Sequence, residues 1–393
     1  MMQLTKCRID NELTLRLGGR LDSGNAAEVE NRIQAELAGE PKGPLVLDLE
    51  ELSYVSSAGL RVFLRLRKAW PELRIIGASS EVYEIFDLTG FVEILPIERA
   101  YRRVSVEGCE VIGSGANGEV YRLNPDTVIK VYADPNALPE IRRERELARK
   151  AFVLGIPTAI PYAVVRVGKR FGSVFELLKA KSLSELIAED PTQLAHCVEM
   201  YTELLKTIHA ATGDPGEMPD RKAAALERAE RLQEVLPPET YARLLELIRA
   251  VPENNHVLHG DYHTKNILVQ NGEALLIDMD TLCQGDPVFE FGAIYLAFLG
   301  FPQLDHGVTQ RFLGIPYETG VRFWRLALSR YFCTEDGAAL QELENRAALL
   351  ANVRLLERTL RRDPHSPEGK AMIESSRANL IELVPKVQKL QMA

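Results

Sequence analysis

Polar and apolar residues alternate along Glu12–Leu17 (ELTLRL), the period of a half-buried strand. Asn25 followed by Glu28 fits a capping box, and Val29, Ile33 and Leu37 continue at helical spacing. Leu45–Leu49 (LVLDL) is a compact apolar strand. Leu60, Phe63, Leu64 and Trp70 mark one face of a helix, and Leu73–Ile76 is strand again. Val82, Ile85, Phe86 and Leu88 outline a short helix closed by Gly90, and Val92–Leu95 completes the set as an edge strand. This pattern predicts a small α/β unit, a mixed sheet with helices on it.

At Glu98–Arg103 (ERAYRR) the texture becomes charged and loses its period, which places a domain boundary there: residues 1–100, then 101–393. Residues 104–178 are strand-rich, with one helix from about Pro139 to Leu154. From Ser182 onward the period is helical, apart from a hairpin at 266–280 turned by Asn271-Gly272. Gly337–Leu360 and Pro367–Leu390 read as two long helices.

Composition narrows the class. The 393 residues are 46% hydrophobic and 26% charged, as in a globular protein of two domains or of one with two lobes. A net charge of −9 argues against nucleic acid as the partner. No apolar run reaches the roughly 20 residues that span a bilayer, and the N-terminus MMQLTKCRIDNEL has no signal-peptide core, so the expected location is the cytoplasm. The five cysteines are scattered without a CxxC pair, which suggests neither a disulfide framework nor a zinc site.

Three stretches carry candidate chemistry. Residues 112–121 (IGSGANGEVY) contain Gly113, Ser114, Gly115, Gly118 and Val120 in a G-x-G-x-x-G-x-V pattern with strand-like residues on both sides. A dinucleotide fingerprint would lead into a helix, whereas the strand–loop–strand form closes backbone N–H groups over ATP phosphates. Alone, the pattern also suits a glycine-rich hairpin. Lys130 then sits inside the apolar strand TVIKVY. Such a lysine either snorkels at an edge or pairs with an acid. On the next helix Glu144 shares a face with Leu147, Ala148 and Ala151, while Glu146 does not, so Glu144 is the expected partner and Glu146 the fallback.

The third stretch is the most specific. Val257–Leu268 reads VLHGDYHTKNIL, which is H-x-D-x-x-x-x-N before an apolar strand, and Asp278 follows Asn266 by twelve residues at the end of LLID. Phosphoryl transfer needs an aspartate to take or orient the proton of the attacking hydroxyl. It also needs hard oxygen donors to hold Mg²⁺ against the phosphates. Each residue alone could be a cap or a turn residue; in this order, after the glycine pattern and the strand lysine, they point to a kinase.

Residues 104–300 resemble the aminoglycoside phosphotransferase and choline-kinase-like family, which has a two-lobed α+β protein-kinase-like fold. The resemblance lies in HGDYHTKN, in IDMD where protein kinases have D-F-G, in the Gly285-Asp286-Pro287 turn before FEFGAIYLAFL, and in the helical LLKTIH of Leu204–His209. Protein kinases carry arginine and lysine where this chain has Gly260 and His263. The resemblance implies an N-lobe at about 104–178 and a helical C-lobe at about 179–393. It implies Asp261 as catalytic base or positioner, with His259 orienting its loop, and Asn266 and Asp278 as magnesium ligands. Lys130 would pair the ATP phosphates with Glu144, under the loop of Gly113, Ser114, Gly115, Gly118 and Val120. The segment Val174–Leu178, with Phe175, Glu176 and Leu177 at its centre, would be the hinge that reads adenine. The acceptor would be a small-molecule hydroxyl bound in the helical lobe. Cationic acceptors in this family meet acidic pockets, for which Asp286, Glu335, Asp336, Glu342 and Glu344 are available.

Residues 1–97 resemble the STAS domain of anti-sigma-factor antagonists. The likeness lies in ELTLRLGGRLD, LVLDLEELSYVSSAGLRVFL and EIFDLTGF. It implies a regulatory domain that docks a protein partner, with Ser57 the serine whose phosphorylation switches binding off. The chain departs from the pattern at Ser56, where phosphorylated relatives often carry aspartate. Ser56 or Ser57 could equally be only a helix cap. Three functions stay open at this stage: a small-molecule kinase using ATP and Mg²⁺, a signalling kinase acting on protein serine, Ser57 included, and a nucleotide-binding scaffold without turnover.

Overall fold

The computed structural model describes residues 2–9, 12–115, 118–159, 161–214 and 216–392. It contains two compact units, Met1–Ser105 with Val164–Lys169, and Val106–Ala163 with Arg170–Ala393.

In the first unit, β1 (Gln3–Ile9) and β2 (Glu12–Leu21) form an antiparallel hairpin. α1 (Ala26–Glu36), β3 (Leu45–Asp48), β4 (Leu52–Val55), α2 (Ser57–Ala69), β5 (Leu73–Ala78), α3 (Ser80–Leu88), α4 (Phe91–Ile94) and β6 (Ile97–Arg99) follow. The sheet runs β1-β2-β3-β5-β6, with β4 on β2, and every pairing after the first hairpin is parallel. This is the mixed sheet that the alternation implies, and Leu15, Leu47, Ile75, Phe63 and Phe86 meet in its core.

Two local expectations fail. Val92–Leu95 is not a strand. Gly90 adopts φ 70°, Phe91 turns its ring to within 5.9 Å of Phe86, and residues 91–94 coil as α4. The edge strand comes one step later, where Ile97 pairs with Ile75. Asn25 does precede α1, but it makes no capping bond. Its amide is spent on the preceding loop, accepting from the Asp22 N–H at 3.0 Å and donating to the Arg20 carbonyl at 2.7 Å.

The chain continues with β7 (Val111–Gly115), β8 (Gly118–Asn124), β9 (Thr127–Tyr132), α5 (Leu138–Val153), β10 (Pro161–Val167) and β11 (Arg170–Glu176). Their sheet has the order β10-β11-β9-β8-β7. Helices then dominate: β12 (Lys181–Ser182), α6 (Leu183–Glu189), α7 (Leu194–Ala210), α8 (Arg221–Glu230) and α9 (Pro238–Arg249). β13 (Val257–Leu258), β14 (Ile267–Gln270), β15 (Glu273–Leu276) and β16 (Cys283–Gln284) frame the central loops. α10 (Val288–Tyr295), α11 (Gly307–Leu313), α12 (Tyr317–Phe332), α13 (Gly337–Arg362) and α14 (Pro367–Lys386) complete the chain. Asn271 and Gly272 both have positive φ, the backbone that a two-residue hairpin turn between β14 and β15 demands. Tyr201, Tyr262, Phe291, Phe298 and Trp324 are large side chains buried in the helical core.

Candidate active site

Lys130 lies in the middle of β9, between the buried Ile129 and Val131. Its neighbour across the sheet is Val120 of β8, so the glycine hairpin β7–β8 borders the lysine directly. Ala116 and Asn117, between β7 and β8 in the sequence, lie outside the described residues. Gly118 has φ 152°, and a Cβ there would stand 2.1 Å from the Val131 carbonyl oxygen, so the fold itself excludes a side chain. A Cβ on Gly115 meets nothing within 4 Å, and one on Gly113 reaches only the Val120 side chain at 3.6 Å. A side chain therefore has room at those two positions, and the fold itself does not demand glycine there.

Lys130 Nζ donates to Glu144 Oε1 at 3.1 Å and to Asp278 Oδ1 at 2.7 Å. Glu144 points inward from α5 and is 5% exposed, whereas Glu146 pairs with Lys150 at the surface. Tyr132, two residues beyond the lysine, gives its hydroxyl proton to the same Glu144. Burial opposes the lysine's charge, but Glu144, Asp278 and Asp280 together outweigh it and raise its pKa.

The central loop starts where buried β13 pairs with β16. His259 is fully buried, with Nε2 3.1 Å from the Ile277 carbonyl. Gly260 has φ 81°, and a Cβ there would lie 2.4 Å from the Thr281 carbonyl oxygen. Glu290, on α10, is completely buried and accepts from the backbone N–H of both His259 and Gly260. Burial disfavours its charge, yet His209, His259 and Arg221 hold its pKa below the usual value. An ionised, buried glutamate thus ties the start of the loop to the helical core.

Asp261 emerges half-buried from this anchor. His263 Nε2 stands 3.6 Å from its Oδ2. Burial would raise the Asp261 pKa, but His263, then Arg354 and His259, bring it down to about 2. Asn266, itself buried, donates through Nδ2 to the Asp261 carbonyl at 3.1 Å, which ties it to the loop. Asp278 follows β15 in a left-handed conformation, φ 62°, and opens the short turn Met279–Thr281. Asp280, on that turn, is pushed up to about 7 by burial and by Asp278. Glu144, Asp278 and Asp280 thus set three carboxylates about Lys130, although among the described residues no three acidic, histidine or cysteine side chains stand close enough together to hold a metal ion.

Phe175 and Glu176 close β11 opposite Val128 and Thr127, and the Leu177 N–H donates to Asp126 at 2.8 Å. The proposed hinge is therefore tied to the strand that carries Lys130. The carboxylates offered for an acidic acceptor pocket are not brought together as one. Asp286 accepts from the Val288 N–H at 2.9 Å, Asp336 caps α13, Glu342 pairs with Arg346, and Glu344 accepts from Trp324 at 2.8 Å. These four are occupied by structural tasks; Glu335, the fifth, has no ion pair among the described residues.

Several site residues escape sequence reasoning. Asp280 and Tyr132 lie two residues from chosen positions, and a lone acid in the apolar FEFG stretch was the available signal for Glu290. Arg221 and Arg354 both donate to the Gly260 carbonyl at 3.2 Å, from helices far away in the chain, and no short-range pattern marks them.

A strand lysine paired to a helix glutamate, beside an anchored aspartate loop with oxygen donors, is the site of a kinase-type phosphotransferase. The family model for the phosphotransferase enzyme family (APH) matches residues 108–324, more than half of the chain, and the chain belongs to that family. It is thus an ATP-using phosphotransferase with an alcohol group as acceptor. Residues 3–105 match the STAS domain. There the chain is 40% identical over 101 residues to BtrV of Bordetella bronchiseptica, described as a candidate anti-sigma factor antagonist, across 24% of this chain and 85% of that protein. It is 30% identical over 115 residues to the anti-sigma-B factor antagonist of Listeria monocytogenes, across 28% and 94%. Among solved structures, a thermostable mutant of aminoglycoside phosphotransferase APH(4)-Ia with ADP and hygromycin B is similar at 15% identity and a TM-score of 0.49, covering 70% of this chain and 93% of that one. That likeness is too distant to bear on the acceptor.

Proposed function

We propose that the chain transfers the γ-phosphoryl group of ATP, with Mg²⁺, to a hydroxyl of a small molecule, and that the STAS domain (residues 1–100) docks or regulates the kinase domain (residues 101–393). The observation that carries this reading is Lys130 bridging Glu144 and Asp278, in the unit that also holds the anchored Asp261. Asn266 and Asp278 would hold the metal, which would neutralise charge on the phosphates. Lys130 binds the phosphates, and Gly113, Ser114, Gly115, Gly118 and Val120 lie over them. Phe175, Glu176 and Leu177 take the adenine. Asp261 accepts the hydroxyl proton as the acceptor oxygen attacks the γ-phosphorus, the bond from that phosphorus to the β,γ-bridging oxygen breaks, and ADP leaves. His259 holds the loop. A cytoplasmic location, with ATP at hand, belongs to this reading, and membrane and nucleic acid have no part in it; among the described residues, no helix is long and apolar enough to cross a membrane.

A second reading has support from one observation. Ser56, not Ser57, caps α2, accepting from the Gly59 N–H at 3.4 Å, while Ser57 is exposed at the first helical position. The hydroxyl implicated by the STAS resemblance is therefore free of the cap and accessible to a kinase. Incubation of the pure protein with γ-labelled ATP and Mg²⁺, with and without a panel of hydroxylated metabolites and aminoglycosides, separates these readings. Label on a small acceptor, lost in Asp261→Asn, supports the first. Label on Ser57, lost in the same variant, supports signalling. ATP binding with no transfer leaves a scaffold, and no ATP binding ends the kinase reading.

A further inference from the structure

The helical side of Asp261 is lined by arginine. Arg221 and Arg228 lie seven residues apart on one face of α8, with Ala225 between them, and Arg354 and Arg358 lie one turn apart on α13. The two helices pack on each other, and Arg221, Arg228 and Arg354 line a cavity of about 20 Å³, room for one water-sized group, together with Phe289 and Leu350. Arg221 and Arg354 each place a guanidinium 3.2 Å from the carbonyl oxygen of Gly260, the residue before Asp261.

The charges that oppose these cations, Glu290 for Arg221, Asp261 for Arg354 and Glu357 for Arg228, stand at longer range than an ion pair. Among the described residues, no carboxylate lies within ion-pair distance of Arg221, Arg228 or Arg354. The nearby buried Glu357 is engaged by Arg231 at 2.8 Å and Arg361 at 3.3 Å. Burial, and then Arg221, bring the Arg354 pKa down to about 10, with Arg228 and Arg358 adding to the repulsion and Asp261 opposing it. Clustered, half-buried guanidiniums without a paired carboxylate are costly unless an anion joins them. Their planar forks match the two oxygens of a phosphate or carboxylate.

We infer that the acceptor is itself an anion: a small hydroxyl compound bearing a phosphate monoester or a carboxylate, whose anionic group is drawn to Arg221, Arg228 and Arg354 beside the Asp261 loop. The inference rests on the kinase reading of Asp261 and deepens it. It also reverses the charge expected of the acceptor pocket, since among the described residues the arginines form no ion pair and only Arg221 and Arg354 hydrogen-bond, both to the Gly260 carbonyl. The arginines belong to helices, not to the strands that carry Lys130 and the glycine hairpin.

Calorimetric titration of the full chain tests this, first without nucleotide and then with ADP. The probes are inorganic phosphate, tartrate and the cationic aminoglycoside kanamycin. Phosphate or tartrate is expected to bind with Kd below about 1 mM, and about tenfold or more weakly in Arg228→Gln/Arg354→Gln. Whichever anion binds more tightly identifies the phosphate or carboxylate class. Arg228→Gln alone removes a side chain with no hydrogen bond to the fold, so its unfolding temperature and its anion affinity separate a binding loss from misfolding. Failure of both anions to bind, equal binding by the variants, tighter binding of kanamycin, or a parallel loss of ADP affinity would each overturn the inference. Transfer from ATP that favours neutral or cationic acceptors would overturn it and keep the kinase reading. Anion binding that the arginine variants lose, in a chain that never transfers phosphate from ATP, would end the kinase reading and reduce the arginines to an anion site.

Discussion

Asp261 and Ser57 are both short polar residues at the mouth of a loop, and the structure treats them in opposite ways. Around Asp261, a buried glutamate takes two backbone N–H groups, two arginines take one carbonyl, and a histidine faces the carboxylate. Ser57 is exposed, and among the described residues nothing hydrogen-bonds its hydroxyl. A residue that does chemistry in place is held on every side. A residue whose role is to be modified needs access, and its surroundings say little about it.

The comparison breaks first at its strongest point. Asp261→Asn keeps the shape and the Asn266 contact, which goes to the backbone, but loses the proton acceptor. Transfer should fall about 10³-fold, within the usual range for a general base, with ADP affinity retained in a binding titration. Wild-type rates would show that the anchoring serves something other than catalysis. Lys130→Met comes next. It removes the partner of Glu144, which is 5% exposed, and should cost about 3 kcal/mol of stability and about 10²-fold in kcat/KM for ATP. Denaturant unfolding and steady-state kinetics read the two effects separately. Unchanged kcat/KM would remove Lys130 from the nucleotide site.

Gly260→Ala probes the anchor alone. At φ 81° and 2.4 Å from the Thr281 carbonyl, the added methyl has no place, and the loop must shift. More than about 2 kcal/mol should be lost in thermal unfolding. A variant that unfolds like the wild type would mean that the loop gives way freely, and the contrast with the serine loop would weaken.

Much of this contrast was legible in the chain. HGDYHTKN, LLID and the strand lysine marked positions of which the fold joins Lys130 to Asp278 and Asn266 to the Asp261 backbone, as the joint constraint of phosphoryl transfer on residue type and spacing leads one to expect. Glu144 followed from helical phase. The parts that stayed hidden depend on helices brought from afar. Glu290 holds His259 from 31 positions later, and Arg354 reaches Gly260 across 94. No local period encodes such contacts. The acidic residues taken for an acceptor pocket misled for the reverse reason: abundance at the surface says nothing of which carboxylates are already engaged. Val92–Leu95 misled because a short apolar run fits a strand or a helical turn equally, and burial of Phe91 decided it.

At the serine loop the effects become small, and their order matters. Ser56→Ala removes the bond to the Gly59 N–H and should cost about 1 kcal/mol, the usual value of an N-cap. Ser57 has no such bond, and the first turn of α2 carries no acidic residue. A negative charge there meets the positive end of the helix and no like charge in that turn. Ser57→Asp should therefore leave the full chain as stable as the wild type or raise its stability by about 0.3 to 1 kcal/mol, measured by denaturant unfolding at low salt, with the gain fading as salt rises. Such a result would show that the STAS domain tolerates a phosphate without unfolding, so that a switch at Ser57 acts on a partner's surface and not on the fold. A loss greater than about 1 kcal/mol would instead make the hydroxyl structural, beyond the range of an ordinary surface substitution, and would remove Ser57 as a site of modification.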